Sequence, residues 1–404
     1  MLKQEKSQFE FIALMASLMA MAALSIDALL PAMSVIGDVV GVTDAHDNQL
    51  LITMIFLGLG IGQLFFGPLS DSFGRKPLVY IGFVVFILAS FVCVFSTSLQ
   101  MLIFGRIMQG VGLSAPRTIS YSMIRDLYEG DHMAKIMSFV TVVFIIVPTL
   151  APALGKYVLD YFNWQAIFYF QIVFCILVAF WFGLRQKETL TSASKTPFTK
   201  TLFASGFRTV VSCKSTMVFT IISGLIMGSF MLYLSASQQI FEQQYGLVEE
   251  FPYVFAGLAL AFGASTFLNG KLVMKYGMEK LIRISLYTFT LTALAYILLF
   301  FGESNPSLRL LIGFLLAQFT SLGFLFGNLK AISLQPLGRI AGIGAAITGF
   351  ISTLVAVPIG IFLGTFMQQT TLPLFMGFFA CGLSSLIVYN YYKRLTSGLG
   401  LIKQ

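Results

Sequence analysis

Twelve apolar runs, each about twenty residues long and divided by short polar segments, leave this chain very few ways to fold. They lie near residues 10–33, 48–69, 78–97, 101–122, 134–158 and 164–184 in the first half. The second half has 216–238, 251–271, 281–302, 307–329, 341–366 and 371–392. A helix rises about 1.5 Å per residue, so roughly twenty apolar residues make one crossing of a hydrocarbon core about 30 Å thick. Composition agrees: 57% of the 404 residues are hydrophobic and only 10% are charged, against roughly a quarter charged in soluble domains. Lipid offers no water to backbone amides, so segments of this kind must satisfy their own hydrogen bonds as helices. The expectation is an all-α integral membrane protein with twelve transmembrane helices.

The net charge of +8 raises the question of nucleic acid, but the Lys and Arg residues fall between apolar runs and form no basic stripe. Membrane orientation explains them better. With both termini in the cytoplasm, the cytoplasmic segments hold all 25 Lys and Arg residues except Arg106, Arg117, Lys156 and Arg309. The opposite segments carry Asp38, Asp44, Asp47, Glu242, Glu249 and Glu250. The alternation holds loop by loop, as a correct helix count requires. Cys93, Cys175, Cys213 and Cys381 are scattered, and His46 and His132 are isolated, so no metal or cofactor site is expected. The charged start at residues 1–6 precedes an apolar run too long for a cleaved signal, and reads as the head of a retained first helix.

Residues 1–184 and 215–404 are expected to form two six-helix halves. A basic cytoplasmic linker, residues 185–214, joins them and carries Arg185, Lys187, Lys195, Lys200, Arg208 and Lys214. The halves repeat at a fixed offset of 203 residues, which relates Gly67 to Gly270, Gly74 to Gly277, Arg106 to Arg309 and Gly110 to Gly313. One pair of glycines means little, but a shared offset that includes an arginine in an apolar run means more. Two parallel halves of this sort suit a transporter with its substrate site between them near the midplane.

The most specific local pattern is Gly67-Pro-Leu-Ser-Asp71-Ser-Phe-Gly74-Arg75-Lys76-Pro77, in the cytoplasmic loop after the second run. Gly67 allows close helix approach, and Gly74 permits a tight turn. Asp71 can cap or pair across the inner face, while Arg75 and Lys76 sit at phosphate level. In the second copy Met274 replaces Asp71. The fourth run carries Leu102-x-x-x-Arg106-x-x-Gln109-Gly110, and the fifth carries Pro148-x-x-Ala151-Pro152-x-x-Gly155. The first run holds Ser25-Ile-Asp27-Ala-Leu-Leu-Pro31, and Arg125-Asp126-Leu-Tyr follows the fourth. Together these motifs resemble the major facilitator superfamily, in its Bcr/CflA-like branch of drug:proton antiporters. The resemblance is specific from the first run to the sixth and rests on hydropathy over residues 215–404. It implies the major facilitator fold and proton-coupled export, with residues 67–77 as a gating loop. It also implies that the Pro148–Gly155 pattern is an exporter motif that helps to close the outer side.

Asp27 is the only one of 17 acidic residues well inside an apolar run. An ionised carboxylate there costs at least ~2.5–3.5 kcal/mol, which makes Asp27 a candidate proton carrier. Its competing reading is a structural hydrogen bond near the outer mouth. The motif match pairs Arg106 with Asp27 in proton coupling, against a reading in which Arg106 snorkels to the outer surface. Arg117 follows Arg106 by eleven residues, about 20° away around the helix, so both share a face. With Lys156 on the next helix it would favour an anionic or electron-rich substrate, and snorkelling is the equal alternative. Tyr121, Tyr233, Gln318 and Asn328, with Asn269, are further polar candidates for a cavity. The expected activity is export of a small amphipathic compound from the cytoplasm by alternating access, driven by protons without other cofactors. The setting is a bacterial inner membrane, with the lipid bilayer and a small-molecule substrate as partners, no nucleic acid, and a monomeric chain. The alternatives are a dedicated exporter of an endogenous anion, such as a carboxylate siderophore, and, more weakly, an uptake symporter. No catalytic constellation and no phosphate-binding Gly-x-x-x-x-Gly-Lys-Ser/Thr loop is present, so neither an enzyme nor an ATP-driven pump is expected.

Overall fold

The computed structural model describes residues 7–42, 45–128, 130–191, 195, 200–302, 305–367 and 370–398, and every regular element among them is helical. The charged start at residues 1–6, Asp44, and the side chains of His46 and His132 lie outside the described residues. The chain divides into two compact units, Met1–Lys200 and Thr201–Gln404.

The first unit contains α1 (Gln8–Asp27), α2 (Met33–Val40), α3 (Ala45–Phe73), α4 (Arg75–Val94), α5 (Leu99–Leu127), α6 (Gly130–Tyr161) and α7 (Trp164–Arg185). The second contains α8 (Lys200–Ser212), α9 (Lys214–Gln238), α10 (Phe251–Tyr276), α11 (Met278–Phe300), α12 (Leu308–Leu334), α13 (Ala341–Gly364) and α14 (Leu372–Gly398). Eleven of the twelve apolar runs each fall on one of these helices, and the first, residues 10–33, crosses from α1 to the start of α2. Ten spans among the described residues are long and apolar enough to cross a membrane. α5 is not one of them, because Arg106, Gln109, Arg117, Arg125 and Asp126 dilute its apolar content. The expected linker is not wholly irregular: residues 200–212 form α8.

Within the first unit α3 packs on α5, α4 on α5 and α7, and α1 on α5, α6 and α7. Within the second, α10 packs on α12, α11 on α12 and α14, and α9 on α12, α13 and α14. The pairings correspond one for one along the two units. Helix ends are locked by polar contacts. Arg185 grips Glu10 with both Nε and Nη2, at 2.5 and 2.6 Å, and ties the end of α7 to the start of α1. In the second unit Glu279 binds Lys393 and accepts from the Tyr389 hydroxyl at 2.9 Å, joining α11 to α14.

Gly74 and Gly277, the pair predicted from the offset, both have positive φ (111° and 79°) and both immediately precede a helix, α4 and α11. A side chain at either place would be strained, so the turn requires glycine. The rest of the repeat is uneven. A Cβ on Gly110 would strike the Ile55 carbonyl oxygen across the α3–α5 contact, whereas one on Gly313 or Gly270 would meet open space. Arg309 is exposed at the start of α12, unlike its counterpart Arg106.

Candidate functional site

The first helix breaks where its only buried acid sits. Pro31 has no N–H to give the Asp27 carbonyl, so α1 ends at Asp27, and a short 3₁₀ turn over Leu30–Ala32 leads into α2. Asp27 is buried, at 5% exposure, and its carboxyl group has no hydrogen bond or ion pair among the described residues. Such an end also orphans backbone carbonyls. The Ser25 carbonyl is taken by Arg106 Nη1 at 3.0 Å, and the Leu51 carbonyl on α3 by Arg106 Nε at 2.8 Å. Nη1 also reaches Gln109 Oε1 at 2.8 Å, and Gln109 Nε2 donates to Ser90 Oγ on α4 at 2.8 Å. Arg106 therefore stitches α5 to α1, α3 and, through Gln109, α4.

Arg106 is fully buried, so the snorkelling reading fails for it. It makes no ion pair with Asp27 either. The two are linked through the backbone: the guanidinium holds a carbonyl two residues before the acid. Its Nη2 has no partner among the described residues.

The motif at residues 67–77 departs from the expected loop. α3 runs through Pro68 to Phe73 and α4 starts at Arg75, so only Gly74 lies outside a helix. Arg125 and Asp126 are likewise helical, in the last turn of α5. Arg75, at 2% exposure, lies between two carboxylates. Its Nη1 meets Asp71 Oδ1 at 2.5 Å, and its Nε and Nη2 meet Asp126 Oδ2 and Oδ1 at 2.9 and 3.4 Å. Ser70 Oγ accepts from Nη1 at 2.7 Å, and Arg125 stands 4.0 Å from Asp71. Lys76 Nζ donates to the Gly183 carbonyl at 2.9 Å.

The N-terminus of α4 has no cap from its own flank. Glu188, just past α7, supplies one, accepting from the Arg75 and Lys76 amides at 3.0 and 2.9 Å and from the Thr189 and Leu190 amides at 3.0 Å each. Burial raises the Glu188 pKa, but these four amides together outweigh it and hold the carboxyl below its usual range. The cap is thus in force at neutral pH and is lost only as pH falls through that lowered value. Sequence reasoning missed Glu188. The available signal was that it is the sole acid among six basic residues in 185–214.

The Pro148-x-x-Ala151-Pro152-x-x-Gly155 stretch lies within α6 and faces the break in α1. A Cβ on Gly155 would collide with the Ala28 carbonyl oxygen, while Ala151 shares a core cluster with Leu24, Ala28, Leu29 and Ala32. The small residues therefore let α6 approach the segment that carries Asp27.

The cavity candidates are dispersed. Arg117 is exposed, with no side-chain hydrogen bond or ion pair among the described residues, and Tyr121, one turn along, is half-buried. Lys156 is corrected: it binds Asp160 one turn along, at 2.6 Å, so its charge is balanced. Tyr233 is fully buried, stacked on Phe255 and edge-on to Phe319. Asn328 and Asn269 exchange hydrogen bonds at 2.7 and 3.3 Å, and Gln318 donates to the Phe289 carbonyl at 3.1 Å.

Apolar helices of spanning length, with an acid and an arginine buried among them, define a multi-pass membrane protein that keeps ionisable groups inside its bundle. The sequence model of the Major Facilitator Superfamily matches residues 15–357, and the chain belongs to that family. It is therefore a transporter and not an enzyme. It is 27% identical over 406 residues to the bicyclomycin resistance protein homolog of Haemophilus influenzae, covering 96% of this chain and 98% of that protein. It is 27% identical over 330 residues to the chloramphenicol resistance protein of Pseudomonas aeruginosa, covering 80% and 74%. The resemblance to the Bcr/CflA-like drug:proton antiporter branch stands, and with the first of these relatives it runs through the second half as well. The crystal structure of a D-xylose-proton symporter superposes with a TM-score of 0.71 at 15% identity, over 95% of this chain and 98% of that one, which is a likeness of fold.

Proposed function

We propose that the protein exports small amphipathic compounds from the cytoplasm in exchange for protons, by alternating access. Twelve spans in two six-helix halves would cross a bacterial inner membrane with both termini in the cytoplasm, and the chain would act as a monomer. The matching helix pairings of the two units support that division, and the drug-resistance names of the relatives support export. One observation carries the proton reading: Asp27 is a buried acid without a partner among the described residues, placed at a helix break whose carbonyl Arg106 holds. Proton and substrate need not touch; each need only favour a different state of one equilibrium. Transport in inverted vesicles of a panel of neutral, anionic and cationic compounds tests the reading, with proton movement followed in parallel. Export of none of them, or export indifferent to a proton gradient, contradicts it.

The inner-side cluster acts here as a latch. Among the described residues Arg75 joins α4 to α5 only through Asp126, whereas Asp71 is its neighbour one turn away across Gly74. Asp126→Asn is therefore expected to slow turnover more than Asp71→Asn, by roughly tenfold against a few-fold, with KM little changed in both. Initial efflux rates across a substrate series measure this; the reverse order would remove Asp126 from the latch.

A second reading, a dedicated exporter of an endogenous anion, rests on Arg117, an exposed cation with no ion pair among the described residues. Arg117→Gln should weaken binding of an anionic compound by roughly five- to tenfold and leave that of a lipophilic cation unchanged. Competition binding on the purified protein checks it. Equal effects on both compounds would return Arg117 to a snorkelling role.

A further inference from the structure

The stretch that leaves α7 does more than begin the linker. Residues 188 and 189 touch both members of the Arg75–Asp126 pair. Glu188 holds the Arg75 and Lys76 amides, and the Thr189 hydroxyl donates to Asp126 Oδ2 at 2.9 Å, the oxygen that Arg75 Nε also uses. The contacts close a ring: Glu188 to the Arg75 backbone, the Arg75 side chain to Asp126, Asp126 to Thr189, and Thr189 back to Glu188 along the chain. Gly74 leaves room for it, since a Cβ there would lie 2.9 Å from Glu188 Oε2. A carboxylate at a helix N-terminus satisfies orphan amides and opposes the positive end of the helix dipole.

We infer that residues 186–190 form a strap that positions the inner latch, with Glu188 as its positioning residue. Arg75 can keep its grip on Asp126 only while its own backbone is held at the head of α4. When Glu188 lets go, the first turn of α4 loses its cap and Arg75 loses its fixed origin. The latch opens as a consequence. This inference takes the latch from the exporter reading above. It adds that a segment outside residues 67–77 and 125–126 sets the rate at which the latch cycles, while substrate recognition stays elsewhere.

The test uses the full-length protein and the conservative variant Glu188→Gln, with Asp126→Asn and the combination of the two. Glu188→Gln is expected to slow efflux roughly tenfold with KM within about twofold, as the loss of a helix cap on a latch implies. Because both act through Arg75, the double variant should be no slower than Asp126→Asn alone. Turnover within about twofold of the parent, or a double variant slowed by the product of the single effects, overturns the inference. Amide exchange gives a readout independent of transport. In Glu188→Gln, faster exchange should spread from Arg75 and Lys76 to the last turn of α5; exchange confined to α4 overturns the strap. Should the parent protein export no compound, the exporter reading fails, and the exchange result alone decides the strap.

Discussion

Asp27→Asn abolishes proton-driven efflux while leaving membrane insertion and thermal stability close to those of the parent. The carboxamide keeps the size of the side chain. It also breaks no hydrogen bond or ion pair, because the Asp27 carboxyl group makes none among the described residues. What it removes is the capacity to take up and release a proton, so the loss falls on the coupled rate and not on the fold. A residual rate below about one hundredth of the parent's is expected in vesicles driven by a proton gradient, with substrate exchange at equilibrium largely retained. Efflux that still tracks the gradient in the variant would show that another group carries the proton.

Arg106 has the opposite profile. Arg106→Leu is expected to cost ~2–6 kcal/mol of stability, since it strands the Ser25 carbonyl and Gln109 Oε1 in the interior, at ~1–3 kcal/mol each, and removes the bond to the Leu51 carbonyl. Arg106→Lys should recover part of this. An ammonium can reach one or two of those oxygens but cannot spread over three as the planar guanidinium does. Thermal unfolding in one detergent ranks the three proteins: parent, then Lys, then Leu. A Leu variant as stable as the parent would mean that these hydrogen bonds do not hold the α1 break together. The contrast between the two residues follows from their contacts, one acid with none and one arginine with three.

Much of the fold is legible in the sequence because lipid imposes a single rule: each apolar run of spanning length becomes a helix. Eleven of the runs each fall on one helix for that reason, while the first crosses the break between α1 and α2, and ten spans among the described residues are long and apolar enough to cross a membrane. The repeat at 203 residues was readable where it reflects backbone conformation, as at Gly74 and Gly277, because positive φ leaves little choice of residue. It faded where the equivalent positions differ in packing. Arg106 is buried and Arg309 exposed, although one offset relates them.

The candidate site was legible in its residues and less so in its partners. Hydropathy picked out Asp27, and motif spacing picked out Arg75 and Arg106. Neither signal identified what the guanidinium groups bind. Arg106 goes to one carbonyl left open where α1 breaks before Pro31 and to another on α3, and Arg75 goes to a carboxylate 51 residues on. Sequence patterns record spacing along one helix well, as with Lys156 and Asp160, whose separation of four residues predicts their pair. Glu188 escaped because a polar linker has no periodicity to disturb, and a cap supplied from a distant segment leaves no local signature.

The central claim is that Asp27 exchanges its proton against substrate. The most direct measurement is proton release on adding a transported compound to the purified, weakly buffered protein, with Asp27→Asn alongside. The parent should release protons in a saturable manner that follows substrate binding, and the variant should bind the same compound and release none. Equal release from both proteins would contradict the assignment of Asp27 as the proton carrier.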